Sequence, residues 1–322
     1  MEKSKLNLIL TCGDISGIAP EIIIKIFHTT DLFKKFNLKI CADEWMFTEY
    51  YKLLKFKKIP TGYFEPLGIK EFKFYPGKPS VKTARVSAKS FLKSVELCVY
   101  KKYDAMVTLP VSKFAINNSG IKFTGHTEML GSMLKETPIM IFHSKKFITS
   151  LITSHIPIKK VSSSITKEKI INKIKLLNQI LKRDFKIKNP KIALLSLNPH
   201  SGDNGVMGNE EIEKIIPAME ELKNSGINVS GVFASDGFFG LKKFSEYNLT
   251  VGMYHDQILN PFKLLCFDDG VNFTGGLSIV RTSPDHGTAF DIAGKGIAKI
   301  ESTVSAIRLA AKIANNRRSP EC

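Results

Sequence analysis

The feature that most constrains this chain is an alternation of short apolar runs with amphipathic stretches of helical period. The runs "LNLILTC", "LKICA", "DAMVTLP", "PIMIFH", "FITSLITS", "KIALLSL", "VSGVFAS" and "TVGMYH" predict buried strands. Between them, "IAPEIIIKIFH" predicts a helix with Pro20 in its first turn, where a missing N–H costs nothing. "TARVSAKSFLKSVELCVYKK" predicts a long helix, residues 166–183 another, Glu210 starts one, and "ESTVSAIRLAAKIAN" closes the chain. "VNFTGGLSIVRTS" reads as extended. Strands separated by helices imply a largely parallel sheet covered on both faces, an α/β fold. At 322 residues the chain can hold two such domains or one large one.

Composition narrows the class. Hydrophobic residues make up 43% and charged residues 24%, as in a soluble globular protein. No apolar run reaches the roughly 18 residues of a membrane span, and the N-terminal apolar stretch runs straight into Gly13-Asp14. The expectation is a cytoplasmic protein with no membrane contact. Cys12, Cys41, Cys98, Cys266 and Cys322 show no CxxC spacing, which excludes a zinc ribbon and gives no disulfide framework. The net charge of +17 raises the question of nucleic acid. The lysines are spread along the chain, as in "KEKIINKIKLLNQILKRDFK", where they occupy the wet face of a helix. With no basic tail and no nucleic-acid motif, no nucleic-acid partner is expected; the surface charge suits an anionic small-molecule substrate.

Chemistry concentrates where the strands stop. Predicted strand ends carry Gly13-Asp14, Ser154-His155, His200, Asp236 and His255-Asp256. Parallel strands deliver their C-terminal ends to one edge of a sheet, where α/β proteins bind ligands. Three of these ends are histidines. Three imidazoles with an open position are one arrangement for a catalytic divalent metal; three unrelated loop or core histidines are the alternative. In "TGHTEML", His126 and Thr127 precede Glu128 in a cap-like arrangement: either a plain helix cap or a grip on an anion. Arg281 emerges from an apolar strand, placed either for a bidentate hold on phosphate or carboxylate or for a core salt bridge. The "GKG" segment lacks the upstream glycine spacing and the Ser or Thr of a P-loop, and no GxGxxG follows a strand.

Taken together, "GDISGIAPEI", "DAMVTLPVSK", "TGHTEML", "LNPHSGDNGVMGNEE", "MYHDQ" and "RTSPDHGTAFDIAGKG" resemble the 4-hydroxythreonine-4-phosphate dehydrogenase (PdxA) family of vitamin B6 biosynthesis, in order from about residue 8 to 300. "HGTAFDIAGKG" also resembles the cofactor loop of isopropylmalate dehydrogenases, a fold that binds NAD without GxGxxG. The resemblance implies two α/β/α domains with an active-site groove between them, completed by the partner subunit of a homodimer. The domains are expected at 1–130 plus 270–322, with the cofactor loop, and at 131–269, with the metal ligands and the dimer interface. It implies His155, His200 and His255 as ligands of one divalent metal (Zn, Mg or Co), and His126, Thr127, Lys263, Asn272 and Arg281 as substrate contacts. His286, Gly287, Thr288 and Asp291 fall in the loop for NAD or NADP. Asp236 is the expected proton acceptor, with Asp256 as the other candidate or as a partner of a ligand histidine. Ile15, Ala19 and Ile258 depart from the family pattern, which usually shows Pro, Gly and Gly there. The implied reaction is oxidation of 4-phosphooxy-L-threonine and decarboxylation to 3-amino-2-oxopropyl phosphate. The nearest alternative is a threonate or erythronate 4-phosphate dehydrogenase. A nucleic-acid-binding protein is the alternative of another class, and steeply salt-dependent binding to arbitrary DNA distinguishes it.

Overall fold

A computed structural model describes residues 5–319; Cys322 lies outside them. Its strands are β1 (Asn7–Thr11), β2 (Asn37–Cys41), β3 (Phe64–Glu65), β4 (Ala105–Val107), β5 (Ile139–His143), β6 (Ile148–Leu151), β7 (Ile192–Leu195), β8 (Val229–Phe233), β9 (Leu249–Gly252), β10 (Val271–Gly275) and β11 (Val280–Pro284). The chain divides into two compact units, residues 5–138 with 277–318, and residues 139–276.

In the first unit the strand order is β3-β2-β1-β4-β11, and every pairing is parallel. Leu8, Ile9 and Leu10 are fully buried, as a parallel strand covered on both faces requires. Two helices show why the sequence folds this way locally. Ala19–Thr29 carries Pro20 in its first turn and buries Ile22, Ile23, Ile24 and Ile26. Val81–Val99 begins with a reciprocal capping box, in which Ser80 Oγ accepts from Thr83 N and Thr83 Oγ1 accepts from Ser80 N.

In the second unit the order is β10-β5-β6-β9-β7-β8. The pairings β10–β5 and β5–β6 are antiparallel, and the remaining three are parallel. The lysine-rich helix is Lys167–Phe185, capped by Thr166, which accepts from Lys169 N. It buries Ile170, Ile174, Leu177 and Leu181 at helical spacing, each contributing roughly 1.5–3 kcal/mol.

Three local differences from the sequence reading have clear causes. β9 ends at Gly252, and His255 opens a helix, His255–Cys266, that the reading missed. Its "ILNPF" segment contains Pro261, a residue that argues against helix from sequence alone. His126 and Thr127 do not cap a helix; Gly125 is the N-cap of His126–Leu134, so both lie in the first turn. The helix expected from Glu210 opens as a π-helical turn, Glu211–Ile215, before Ile216–Asn224 continues as α-helix.

Candidate active site

The first unit places one cluster of candidate residues around Arg281. Strand β11 carries Arg281 into the interior, 3% exposed. Its Nε and Nη2 both donate to Thr108 Oγ1, at 2.9 and 2.6 Å. Burial pulls its pKa down to about 9, with Glu128 opposing, so the guanidinium remains a cation at neutral pH. His126 packs against Phe91 and Phe123, with ring centroids 4.8 and 5.2 Å apart. Its Nε2 is buried with no hydrogen-bond partner. Burial first, then Arg281 and Lys113, hold its pKa well below the usual histidine range. Here, then, are a buried cation and a neutral imidazole with an unfilled polar edge, a pairing that suits an oxyanion. Thr127, half-buried, lies in the same helical turn.

The cofactor-loop candidates belong to the same unit. His286 Nδ1 lies 3.1 Å from Gly287 O, and Thr288 O accepts from Ile18 N at 3.0 Å. Asp291 is exposed in a short turn, Phe290–Ile292. Gly17 is fitted against this loop, since a Cβ there would stand 2.7 Å from Thr288 O. Sequence reasoning missed the loop's anchor. Glu21, fully buried, accepts backbone N–H from Gly294, Gly296 and Ala298 and pairs with Lys25 at 3.0 Å. A carboxylate inside the apolar run "IAPEIIIKI" was the available signal.

The second unit holds the histidine candidates. His155 and His255 stand with ring centroids 5.6 Å apart. They line a cleft of about 280 Å³ with Ser154, Ile156, Tyr254 and Asp256. Asp256 Oδ1 lies 2.7 Å from His255 Nδ1, which orients the ring and leaves Nε2 as the edge that could face a cation. His200 sits apart in sequence and conformation. His200, Ser201, Gly202, Asp203 and Asn204 all have positive φ, between 43° and 82°. Such a left-handed run needs outside support. Within the run Ser201 Oγ donates to Val232 O and Gly202 O accepts from Met207 N, and Glu211, 1% exposed, anchors the residues just before it by accepting from Leu197 N, Asn198 N and Asn198 Nδ2. Two imidazoles on one cleft fit a borderline divalent cation. Among the described residues, no group of three or more His, Cys, Asp or Glu is placed to hold one.

The other candidates of this unit are spread over its elements. Asp236 is exposed in the first turn of Ser235–Gly240. Lys263 lies in the helix opened by His255, its Nζ 6.0 Å from the Phe267 ring centroid. Asn272 is on β10, with its side-chain oxygen buried and unbonded. The departure at Ile258 has a local explanation. Ile258 is fully buried, and Gly252 makes room for it, because a Cβ at 252 would stand 2.3 Å from Ile258 Cγ1.

Comparison with known proteins decides the family. The model of "Pyridoxal phosphate biosynthetic protein PdxA" matches residues 28–310. The chain belongs to the PdxA family. It is 37% identical to the 4-hydroxythreonine-4-phosphate dehydrogenase of Bacteroides thetaiotaomicron, over 99% of this chain and 91% of that protein. It is 41% identical to the enzyme of the same name from Sulfurihydrogenibium sp., over 95% and 97%. The crystal structure of 4-hydroxythreonine-4-phosphate dehydrogenase from Klebsiella pneumoniae superposes with a TM-score of 0.83 at 30% identity, covering 98% of this chain and 99% of that one. A terephthalate 1,2-cis-dihydrodiol dehydrogenase from Burkholderia xenovorans shares the fold, at a TM-score of 0.64 and 22% identity. The chain is thus an oxidoreductase of the family of vitamin B6 biosynthesis, with the α/β fold and the family expected from its sequence.

Proposed function

We infer that this enzyme oxidises 4-phosphooxy-L-threonine with NAD or NADP and a divalent metal. The product, a β-keto acid, loses carbon dioxide to leave 3-amino-2-oxopropyl phosphate. The observation that carries the reading is the His155–His255 pair on its cleft, with Asp256 holding one ring.

His155 and His255 would hold the cation in their shared cleft, with His200 the third ligand that the family pattern implies, which this chain does not bring into that cleft. Bound there, it would supply Lewis acidity at the substrate's alcohol oxygen, and nicotinamide would supply the hydride acceptor. Imidazole donors favour zinc or cobalt over magnesium. Asp236 accepts the proton leaving the alcohol; Asp256 is kept for orienting His255. Arg281, Lys263 and Asn272 hold the anionic ends of the substrate, and His126 and Thr127 offer polar edges to it. His286, Gly287, Thr288 and Asp291 contact the nicotinamide cofactor on a loop braced by Glu21. Exposed apolar side chains of the second unit, Val206, Ile212, Leu264 and Phe267, support a homodimer formed through residues 139–276. The described cysteines are buried free thiols, which supports a cytoplasmic enzyme.

A second reading has one observation in its favour. The chain is 34% identical, over 95% of its length, to an Oceanobacillus iheyensis protein named for D-threonate 4-phosphate dehydrogenase. The test is nicotinamide reduction by purified, metal-loaded protein given each phosphate in parallel. Turnover of the amino acid phosphate alone is expected. Turnover of threonate 4-phosphate alone would shift the substrate to the sugar-acid phosphate. Silence with both, at confirmed metal occupancy, would overturn the reading.

A further inference from the structure

A cleft in the first unit involves none of the residues assigned above. One side is the helical stretch Glu44–Phe47 and Thr48–Leu54; the other is the loop that follows β3. The loop is tied down by two side chains. Asp43 accepts from Leu67 N and Gly68 N through Oδ1, at 2.8 and 3.0 Å, and from Ile69 N through Oδ2 at 2.8 Å. Trp45 Nε1 donates to Ile69 O at 3.0 Å. The loop is thus held beside Trp45, yet the two sides leave a cavity of about 330 Å³. Its walls are aromatic. Trp45 meets Phe72 edge to face with ring centroids 5.0 Å apart, Phe74 lies buried 6.2 Å from Trp45, and Tyr75 is exposed.

The charged lining is mixed. Glu49 and Glu71 supply carboxylates, and Lys73 supplies an ammonium. Two more lysines stand against the lining rings. Lys82 Nζ is 5.6 Å from the Phe72 centroid, and Lys78 and Lys73 Nζ are 5.8 and 5.2 Å from that of Tyr75. A plain hydrocarbon would leave these charges unused. A simple cation would meet three ammonium groups, and a bare anion would gain nothing from the rings. A flat heteroaromatic ring bearing a phosphate uses all of them: the rings stack, the carboxylates accept from ring N–H or hydroxyl groups, and the lysines hold the phosphate. The volume is near the lower end of the roughly 300–1,000 Å³ of small-molecule sites, which suits one ring and its phosphate rather than a whole dinucleotide. The same loop runs on to Gly77, whose N donates to Ser16 O at 2.7 Å and where a Cβ would stand 3.0 Å from Phe290 O, so this wall and the expected cofactor loop are neighbours.

We propose that the cleft beside Trp45 binds a phosphorylated heteroaromatic ring. Two sources share that chemistry: the adenosine end of a nucleotide cofactor, and a pyridine phosphate of the kind that the family's pathway makes. The inference needs neither the histidine cleft nor turnover, so its failure and that of the proposed reaction are separately visible.

Trp45 is the chain's single tryptophan, so intrinsic fluorescence reports on this cleft directly. The full-length protein, with no added metal, is titrated separately with adenosine 5′-monophosphate and with pyridoxine 5′-phosphate, and each affinity is repeated by calorimetry. Saturable quenching by at least one of the two is the expected result. Phe72→Ala, which removes a wall, is expected to weaken that binding by about tenfold or more. Lys73→Gln, at an exposed position, is expected to weaken it by about fivefold or more, and decides alone if Phe72→Ala fails to fold. Binding of the nucleotide alone would assign the cleft to the cofactor's adenosine end, and binding of the pyridine phosphate alone to a compound of the pathway; either supports the proposal, as does binding of both. Trp45 fluorescence unmoved by both compounds at millimolar concentration would overturn it. So would affinities that stay within twofold of wild type in the variants, because an aromatic cluster that only packs the loop has that signature.

Discussion

His126 shows how a single side chain acquires a role from its surroundings. An imidazole held well below its ordinary pKa of 6.5 is neutral at physiological pH, so it can offer one nitrogen as donor and the other as acceptor. The sign of its effect on stability follows. Below pH 6.5 the unfolded chain protonates this histidine and the folded chain does not. The unfolded state therefore binds more protons, and stability falls as pH drops, by up to about 1.4 kcal/mol per pH unit until the depressed folded pKa is reached. Urea unfolding at stepped pH is expected to show this slope, and His126→Asn to remove it. An imidazole seen by NMR to charge near pH 6.5 would contradict the assignment. Arg281 is the charged counterpart. Arg281→Lys keeps a cation but loses the planar fork that now meets Thr108. Substrate KM is expected to rise by about tenfold or more, corresponding to roughly 1.5–3 kcal/mol of charged hydrogen bonding. An unchanged KM would remove Arg281 from the substrate site.

At the scale of elements, loops that carry candidate residues are held by neighbouring side chains. The left-handed run at residues 200–204 follows directly on Leu197 and Asn198, whose backbone N–H groups donate to Glu211. Glu211→Ala is expected to destabilise the protein by about 1–3 kcal/mol through two part-buried N–H groups left without a partner, and to speed amide exchange across 197–208 ahead of the rest of the chain. Uniform exchange along the chain would show that Glu211 does not act locally. The entry to the His255 helix depends on a different complementarity, between absent and present bulk. Gly252→Ala is expected to cost about 1–3 kcal/mol by overpacking Ile258. In a double-mutant cycle with Ile258→Val, a coupling of about 0.5 kcal/mol or more is expected; strict additivity would mean that the two positions do not touch.

At the scale of the whole molecule, charge is the dominant quantity. A net +17 spread over surface lysines raises the local concentration of a doubly charged phosphate ester around the protein. For the phosphorylated substrate, kcat/KM is expected to fall as salt rises through the range where the Debye length shrinks below about 10 Å. Values that stay flat from low to high ionic strength would assign the lysines to solubility alone.

The α/β class followed directly from the sequence, because buried parallel strands and amphipathic helices have different hydrophobic periods and these alternate along the chain. The family followed from long motifs whose glycines and polar residues have few substitutes. The gathering of His155 and His255 was foreshadowed in part, since each follows a strand whose parallel neighbours end at the same edge. Other features depended on contacts between distant segments, which no local pattern records. Glu21 reads as an ordinary first-turn carboxylate until residues 294–298 fold against it. Gln257 reads as one more polar residue of "YHDQ" until Ser196, 61 positions away, presents its carbonyl. Ile258 reads as a departure until Gly252 is found beneath it. Periodicity reports which face a residue turns to the core. Which buried donor meets which acceptor is decided only when the strands are assembled.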